Sequence, residues 1–476
     1  MADEPITPAY APRLTALIVA SATFMASLDA TVIATSLPQM AHSFHLPPVD
    51  LSLGITVYIL VMAAFLPLST WVADRLGARS VFAAAIASFA VASVLCALSR
   101  NLPEFVGARV LQALAATFMA PVGNLVLLRS TRKEDLVRAI AISTTPALVA
   151  PVIGPAIGGF IVTFMTWPWI FLLNTPIAAA GLVLALRYIP DLRAEARRPF
   201  DWMGFVSTGI ALASVIYGLD RISAAGANRP LAAGLIVFGL GTGVFAIRHS
   251  LRARHPLISL APLKIRTFAT SALTGGTLVR TPFRALGFIL PLLFQVGLGM
   301  SAFQSGILLL GYNGGDLLLK SIANQTLRRF GFRRSLAVTT VLVGAATATW
   351  TLFSPSTPFW AIFAVLAASG MARSVLMTAL VSLTFADVTH EDVGAAAVLS
   401  NVLNQTTGAL AIALAAIILN LNAAARGAAD GRVSLSDCRI ALAVMAAIGL
   451  CALPSFLRLP PDAGATVSGH RIRRPG

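Results

Sequence analysis

The sequence predicts an all-α membrane protein of fourteen transmembrane helices, and three observations carry that expectation. Mean hydropathy is +0.82 over 476 residues with only 11% of them charged, which excludes an ordinary soluble domain. The apolar runs are continuous rather than alternating within ten-residue segments, which excludes a membrane β-barrel. Lys and Arg are spread unevenly over successive connections. With a cytoplasmic N-terminus, 24 of the 35 fall on the cytoplasmic side, six on the opposite side and five inside spans. The positive-inside rule then places both termini in the cytoplasm and requires an even number of crossings.

In order, the spans cover residues 14–36, 50–72, 80–99, 103–128, 138–163, 168–187, 203–221, 231–248, 268–296, 302–324, 336–353, 358–382, 394–421 and 439–457. The first is an apolar run of about 20 residues, enough for a bilayer core. Pro38 cannot continue a helix and should end it. ADRLGARSVF divides the second span from the third, and RRFGFRRSL divides the tenth from the eleventh. Asp201, Trp202 and Gly204 open the seventh, and the longer polar connections are Arg187 to Asp201 and Arg248 to Arg266. The two loop strings form a weak internal repeat, and they occupy corresponding loops if spans 1–6 and 9–14 are parallel halves. That division gives 1–198 as an N-terminal six-helix half, 199–266 as an inserted helix pair, 267–460 as a C-terminal six-helix half and 461–476 as a cytoplasmic tail.

The formal charge of +16 is read as arginine in cytoplasmic loops, not as a nucleic-acid surface. MADEPITPAYAPR has no basic n-region, so the first helix itself is expected to direct insertion. Cys96, Cys438 and Cys451 have neither metal-ligand nor disulfide spacing, and the six histidines form no ligand cluster.

Four places along the spans carry chemistry. Asp29 is the one ionisable group of the first span, and a carboxylate at membrane depth costs a few kcal/mol unless it is paired, protonated or facing water. It is either bonded to a neighbouring helix to fix packing or a proton or substrate site. Asp74, Arg75, Gly77 and Arg79 lie in the loop WVADRLGAR, where Gly77 serves a tight turn, Asp74 can cap a helix start and the arginines can reach carboxylates or lipid phosphates. Arg109 and Gln112 sit in the fourth span, and a buried Arg should face the bundle interior. In the fifth, Gly154 and Gly158 form a small-xxx-small face for close packing, and Pro155 can bend the helix.

These strings resemble the major facilitator superfamily. WVADRLGAR is similar to its loop motif G-x-L-A-D-R-x-G-R-R, with Thr70 where the family usually has Gly. RVLQA is similar to R-x-x-Q-G, with Ala113 for the last Gly. Gly154-Pro155-Ala156-Ile157-Gly158-Gly159 resembles the antiporter motif that marks exporters in this superfamily. Trp169-Ile170-Phe171-Leu172-Leu173-Asn174-Thr175-Pro176 and Phe200-Asp201-Trp202-Met203-Gly204 resemble the fourteen-helix drug:H+ antiporters of the EmrB/QacA type. Arg280, LPLLFQVGLG, Lys320 and RRFGFRR are most similar to exporters of the MdtD type. The resemblance covers about residues 14–460. It implies two six-helix halves plus two extra helices, with Asp74, Arg75, Gly77 and Arg79 as a conformational switch loop and Gly154, Pro155, Gly158 and Gly159 as the antiporter motif.

Asp29 and Arg109 come out at similar depth, each about 10 Å from the same face by the helix rise, so a contact is geometrically open to them. Such a pair can serve proton coupling, because Asp29 can titrate and Arg109 cannot; the rival is a salt bridge that only fixes charge. In the second half Asp316 and Lys320 are spaced i,i+4 and can satisfy each other. Candidate cavity residues are Gln112, Arg280, Gln295, Asn313, Asp316, Lys320, Arg373, Asn401, Asn404 and Gln405. Arg280 and Arg373 could instead bond carbonyls or Asp316, and the amides could bind neighbouring helices. Five basic groups against two acids inside spans favour neutral, amphiphilic or anionic substrates over cationic ones.

The expected function is proton-coupled export of small amphiphilic molecules across a bacterial inner membrane by alternating access. No Walker-type GxxxxGK[ST] occurs, so no nucleotide is expected, and no metal, other cofactor or catalytic residue either. Substrate, protons and the bilayer are the partners, with a monomer as the working unit and no nucleic acid. The rivals are a proton-coupled importer or metabolite exchanger on the same fold, and a non-transporting membrane sensor.

Overall fold

A bilayer core offers no water to backbone amides, so each crossing satisfies them within its own helix. The computed structural model describes residues 12–131, 133–190, 199–223, 228–254, 256–389, 392–427 and 433–464, and these are helical with no strand among them. The expected boundary at 198 and the tail from 465 onward lie outside the described residues. The first eight helices are α1 (Pro12–Phe44), α2 (Ser52–Leu76), α3 (Ala78–Leu98), α4 (Leu102–Ser130), α5 (Lys133–Phe164), α6 (Trp169–Tyr188, with a turn at Leu173), α7 (Trp202–Ser223) and α8 (Arg229–Arg252). Then come α9 (Arg266–Gly297), α10 and α11 (the two limbs of Ala302–Thr349), α12 (Phe359–Ala386), α13 (Val393–Ala425) and α14 (Leu435–Leu457).

Thirteen stretches among the described residues are long and apolar enough to cross a membrane, which makes this a multi-pass membrane protein. The fourteenth crossing is α10, 302–330, which carries Asn313, Asp316 and Lys320. Ala302–Thr349 is bonded as one 48-residue helix. At full length it would span about 72 Å, more than twice a bilayer core. It turns back at Gly331, whose φ of 71° and ψ of 171° no helix contains. The loop expected at RRFGFRRSL is therefore a glycine break. Pro38 departs from expectation as well, because α1 runs through it to Phe44. A membrane helix tolerates the lost backbone bond where neighbouring helices pack around it.

Small residues set which helices meet, since lipid tails offer no hydrophobic drive for helix association. In the N-terminal half α1 packs on α4, α5 and α6, α2 on α4, and α3 on α4 and α6. Gly154 and Gly158 lie against Thr31 and Thr35 of α1, where any Cβ would collide with the threonine hydroxyls. In the C-terminal half α9 packs on α13 and α14, and α10 with α11 on α12. The halves meet along two seams, α5 on α10 and α2 on α13. On the first seam Gly159 faces the Ala302 carbonyl and Gly306 faces the Pro155 carbonyl, so the backbones touch.

Helices α7 and α8 form an antiparallel pair, with Gly218 on Ala232 and Gly239 on Val215 and Ala211. α7 also packs on α2 and α13, beside the second seam. Asp201 anchors the pair: its carboxylate accepts from the Gly204 amide (2.8 Å), His249 Nε2 (2.8 Å) and the Leu257 amide (3.1 Å). Burial pushes this carboxyl up, but the bonds from Gly204, His249 and Leu257 outweigh it and hold it below the ordinary carboxylate range.

Candidate functional site

Among the described residues, two polar clusters within the bundle hold expected site residues, and packing separates them. The first is sealed in the N-terminal half. Asp29 of α1 is 2% exposed and Arg109 of α4 is fully buried. Arg109 Nη1 donates to Asp29 Oδ2 at 2.6 Å. Gln112 Nε2 donates to Asp29 Oδ1 at 2.9 Å, and Asn174 Nδ2 of α6 reaches the same oxygen at 3.2 Å. Gln112 also accepts from Arg109 (2.6 Å) and donates to Ser93 of α3 (2.9 Å). The Arg109 guanidinium lies over the Tyr58 ring of α2, 4.1 Å from its centre. Five helices thus hold one carboxylate, and equal depth along the chain does become contact. Arg109 Nε, Tyr58 OH and Asn174 Oδ1 remain buried without a hydrogen-bond partner, so the cluster is not fully satisfied.

Asn174 was legible only as part of a motif. Its signal was an amide in an otherwise apolar sixth span. Gln112, expected in the cavity, belongs to this cluster.

The second cluster lines a cavity of about 670 Å³ between the halves. α1, α2 and α5 contribute seven residues, among them Thr31, Ile55, Ile59 and Pro155, and α9, α10, α12 and α13 contribute the rest. Asp29 and Arg109 are absent from its wall. Arg280, Asn313, Asp316, Arg373, Asn401 and Asn404 line it as expected. Lys320 does not: it is exposed on α10, and Asp316 pairs instead with Arg373 of α12 at 2.6 Å. Close packing decides this. Gly315 faces the Ala367 carbonyl and Gly370 the Tyr312 carbonyl, so α10 and α12 touch, and Ser374 Oγ donates to the Asp316 carbonyl at 2.6 Å. The interhelical partner is then nearer than the one a turn along the helix. Arg373 also lies over the Tyr312 ring at 4.5 Å.

Arg280 donates from Nη1 to the Ser271 carbonyl at 3.0 Å, across the π-helical turn Ala269–Leu273 near the start of α9. Arg284, not singled out from sequence, lines the cavity one turn beyond Arg280. Gln295 and Gln405 do not line it. Gln295 Nε2 donates across the seam to the Thr35 carbonyl at 2.9 Å, and Gln405 Nε2 reaches Met62 Sδ at 3.7 Å.

The cavity has a closed end and an open one. At the end near Leu290 and Leu309, both buried, the halves are joined. There the Gln295–Thr35 bond is joined by the Phe303 amide donating to Thr163 Oγ1 (3.0 Å) and by the Phe303 ring against Phe160 and Phe164. Toward the other end the lining passes through Val381, Phe385 and Ala397, with Val381 and Phe385 exposed.

The loop between α2 and α3 turns at Gly77, with φ 90° and ψ 132°. Arg79 Nη2 donates to the Leu186 carbonyl at the end of α6. Arg75 stacks on Trp71 at 4.3 Å, and Trp71 in turn meets Phe200 and Trp202 at the start of α7. The loop therefore ties α2 and α3 to α6 and to the inserted pair.

The family model for the Major Facilitator Superfamily matches residues 19–412. Relatives from Serratia proteamaculans and Escherichia coli, each named "Putative multidrug resistance protein MdtD", are 32% identical over 459 residues. The alignments cover 96% of this chain and 95% and 97% of the relatives. Among solved structures, the POT family transporter PepTSo superposes with a TM-score of 0.69 at 14% identity, covering 96% of this chain and 99% of that one. A bacterial homologue of the human lysosomal transporter Spinster, inward-facing and unoccupied, superposes at 0.63 with 13% identity, covering 95% and 97%. These two likenesses agree with the fold, and the chain belongs to the major facilitator superfamily of transporters.

Proposed function

We propose that the protein is a proton-coupled exporter of small amphiphilic molecules that works by alternating access in a bacterial inner membrane, with both termini cytoplasmic. The observation that carries the reading is the Asp29 cluster. It is a titratable group shut away from water, and it sits on α1, the helix seated through Gly154 and Gly158 on α5. α5 is also the helix whose Gly159 closes the seam to α10. Motion at that seam reaches α1 directly. A shift of α1 would change both the burial of Asp29 and its contact with Arg109. The halves 1–198 and 267–460 are the moving bodies, and 199–266 rides on the seam between α2 and α13. In the charge-based topology the open end of the cavity faces the cytoplasm, where an exporter takes up its substrate. The antiporter-like GPAIGG string and the name given to the relatives support export over import.

Everted membrane vesicles test this. An imposed proton gradient should drive amphiphiles into the lumen, with substrate-induced proton movement the other way. Vesicles that accumulate no amphiphile above a transporter-free control would refute export. Reporter fusions after Arg198 and after Arg266 should both read cytoplasmic, and a periplasmic signal at either breaks the topology.

One observation favours a second carrier. Asp316 lines the cavity with its side chain 24% exposed, so water reaches it, and its partner Arg373 is 2.6 Å away. If Asp316→Asn abolishes substrate-induced proton flux and Asp29→Asn does not, Asp316 carries the proton.

A further inference from the structure

We infer that the central cavity binds organic anions, with Arg284 as the anchor of the anionic head. The inference rests on the cavity as the transport site and adds the charge of what enters it.

The charged residues in the cavity wall are Arg280, Arg284, Arg373 and Asp316. Three guanidiniums face one carboxylate. Asp316 is committed to Arg373 at 2.6 Å, and Arg280 donates to the Ser271 carbonyl. Arg284 makes neither a hydrogen bond nor an ion pair with any described residue. Its Cδ and Nε pass beside Gly408 of α13, at ordinary packing distance. Its electrostatic neighbours are themselves cations: it repels Arg280, one turn away, and is repelled by Arg373. Guanidinium cannot shed its proton to relieve this. Like charges one turn apart on a helix are unfavourable, and a lone cation at membrane depth costs more still. A bound anion removes both penalties, since it offers acceptors to the fork of donors that no residue occupies.

The rest of the wall sets the body of the ligand. Ile59, Phe283, Phe288 and Met377 present apolar surface, and 670 Å³ is the volume of a drug-sized pocket. The ligand class is a carboxylate, sulfonate or phosphate monoester on an apolar, drug-sized frame. A cationic amphiphile would have to approach three arginines with Asp316 already paired.

The test is equilibrium binding to the full-length protein in phosphatidylcholine nanodiscs, corrected with empty discs. Three probes share one ring system: 8-anilinonaphthalene-1-sulfonate, neutral N-phenyl-1-naphthylamine, and a trimethylammonium derivative of the latter. The sulfonate should bind roughly tenfold or more tighter than the neutral probe. Arg284→Gln should bring it to within about twofold of the neutral probe, and Arg284→Lys should keep most of the preference. In the wild type, added salt should weaken the sulfonate and leave the neutral probe unchanged, which decides the matter even if Arg284→Gln fails to fold. Equal binding of the three probes, or equal loss of all three in Arg284→Gln, overturns the inference. Charge-selective binding without gradient-driven pumping would reject the exporter reading and leave the anion site standing. Pumping with equal binding would do the reverse.

Discussion

Removing the Asp29 charge leaves Arg109 buried with no counter-ion, and the consequence can be worked from the structure. Arg109 is fully buried, and in Asp29→Asn it loses the carboxylate charge 2.6 Å away and keeps neutral acceptors only, chiefly Gln112 at 2.6 Å, beside the Tyr58 ring. Breaking one side of such a pair costs about 3–5 kcal/mol, whereas removing both charges together can be nearly neutral. A buried thiol reports the difference. Cys96 of α3 is unexposed, with its Sγ 3.6 Å from Gln112 Oε1, so it reacts only when the N-terminal half opens. Cys438 is buried in the C-terminal half and serves as the internal control, while exposed Cys451 is replaced by Ser. If the full penalty lowers the free energy of that opening, Cys96 labelling in Asp29→Asn should accelerate by about a hundredfold to several thousandfold, with Cys438 unchanged. Arg109→Gln should behave similarly. The double variant should return to within about tenfold of the wild type, since no charge is then orphaned. Singles whose effects simply add would show that the two residues are not energetically coupled. The functional counterpart follows from the same geometry: Asp29→Asn should lose gradient-driven efflux and keep substrate exchange without a gradient. Substrate-induced proton flux at the wild-type rate in that variant would remove Asp29 as the carrier.

Three further outcomes are expected. Asp74→Ala, in the last turn of α2 beside the loop that Arg79 ties to the end of α6, should leave substrate binding nearly intact and slow transport; equal loss of both would place Asp74 in binding. Gly159→Val sets a side chain against the Ala302 carbonyl and the Phe303 backbone and should cost about 1–3 kcal/mol of seam closure. Thiol labelling of Thr163→Cys from the closed end should then be about tenfold faster or more, and unchanged labelling would mean the seam does not depend on glycine. Asp201→Asn loses one of the two oxygens that hold Gly204, His249 and Leu257 and should cost about 1–3 kcal/mol at neutral pH. Because the carboxyl sits below its ordinary range, that stability is present at neutral pH and is lost as pH falls through about 4 and below. Unfolding of wild type and variant should therefore converge in acid, and a gap that does not narrow at all as pH falls below about 4 would assign the effect to something other than this carboxylate.

What the sequence determined by itself is what can be read along one axis. Apolar run length counts crossings because a bilayer core has a set thickness, and Lys and Arg placement gives an expected side for each connection. Depth follows from the helix rise, which is why Asp29 and Arg109 could be matched before any packing was known. Gly154 and Gly158 announced close approach because glycine removes the barrier to it. Tertiary structure decided what lies around the axis. Asp316 has Lys320 a turn away in sequence but meets Arg373, because Gly315 and Gly370 bring α10 and α12 into backbone contact. Gln295 and Gln405 turn to the seams, Arg284 turns to the cavity, and Asn174 reaches Asp29 from a third helix. A membrane helix is apolar on nearly every side, so its sequence barely records which face meets lipid, a neighbour or the cavity. That rotation is settled only when small residues let specific backbones touch, and it is the rotation that makes a site.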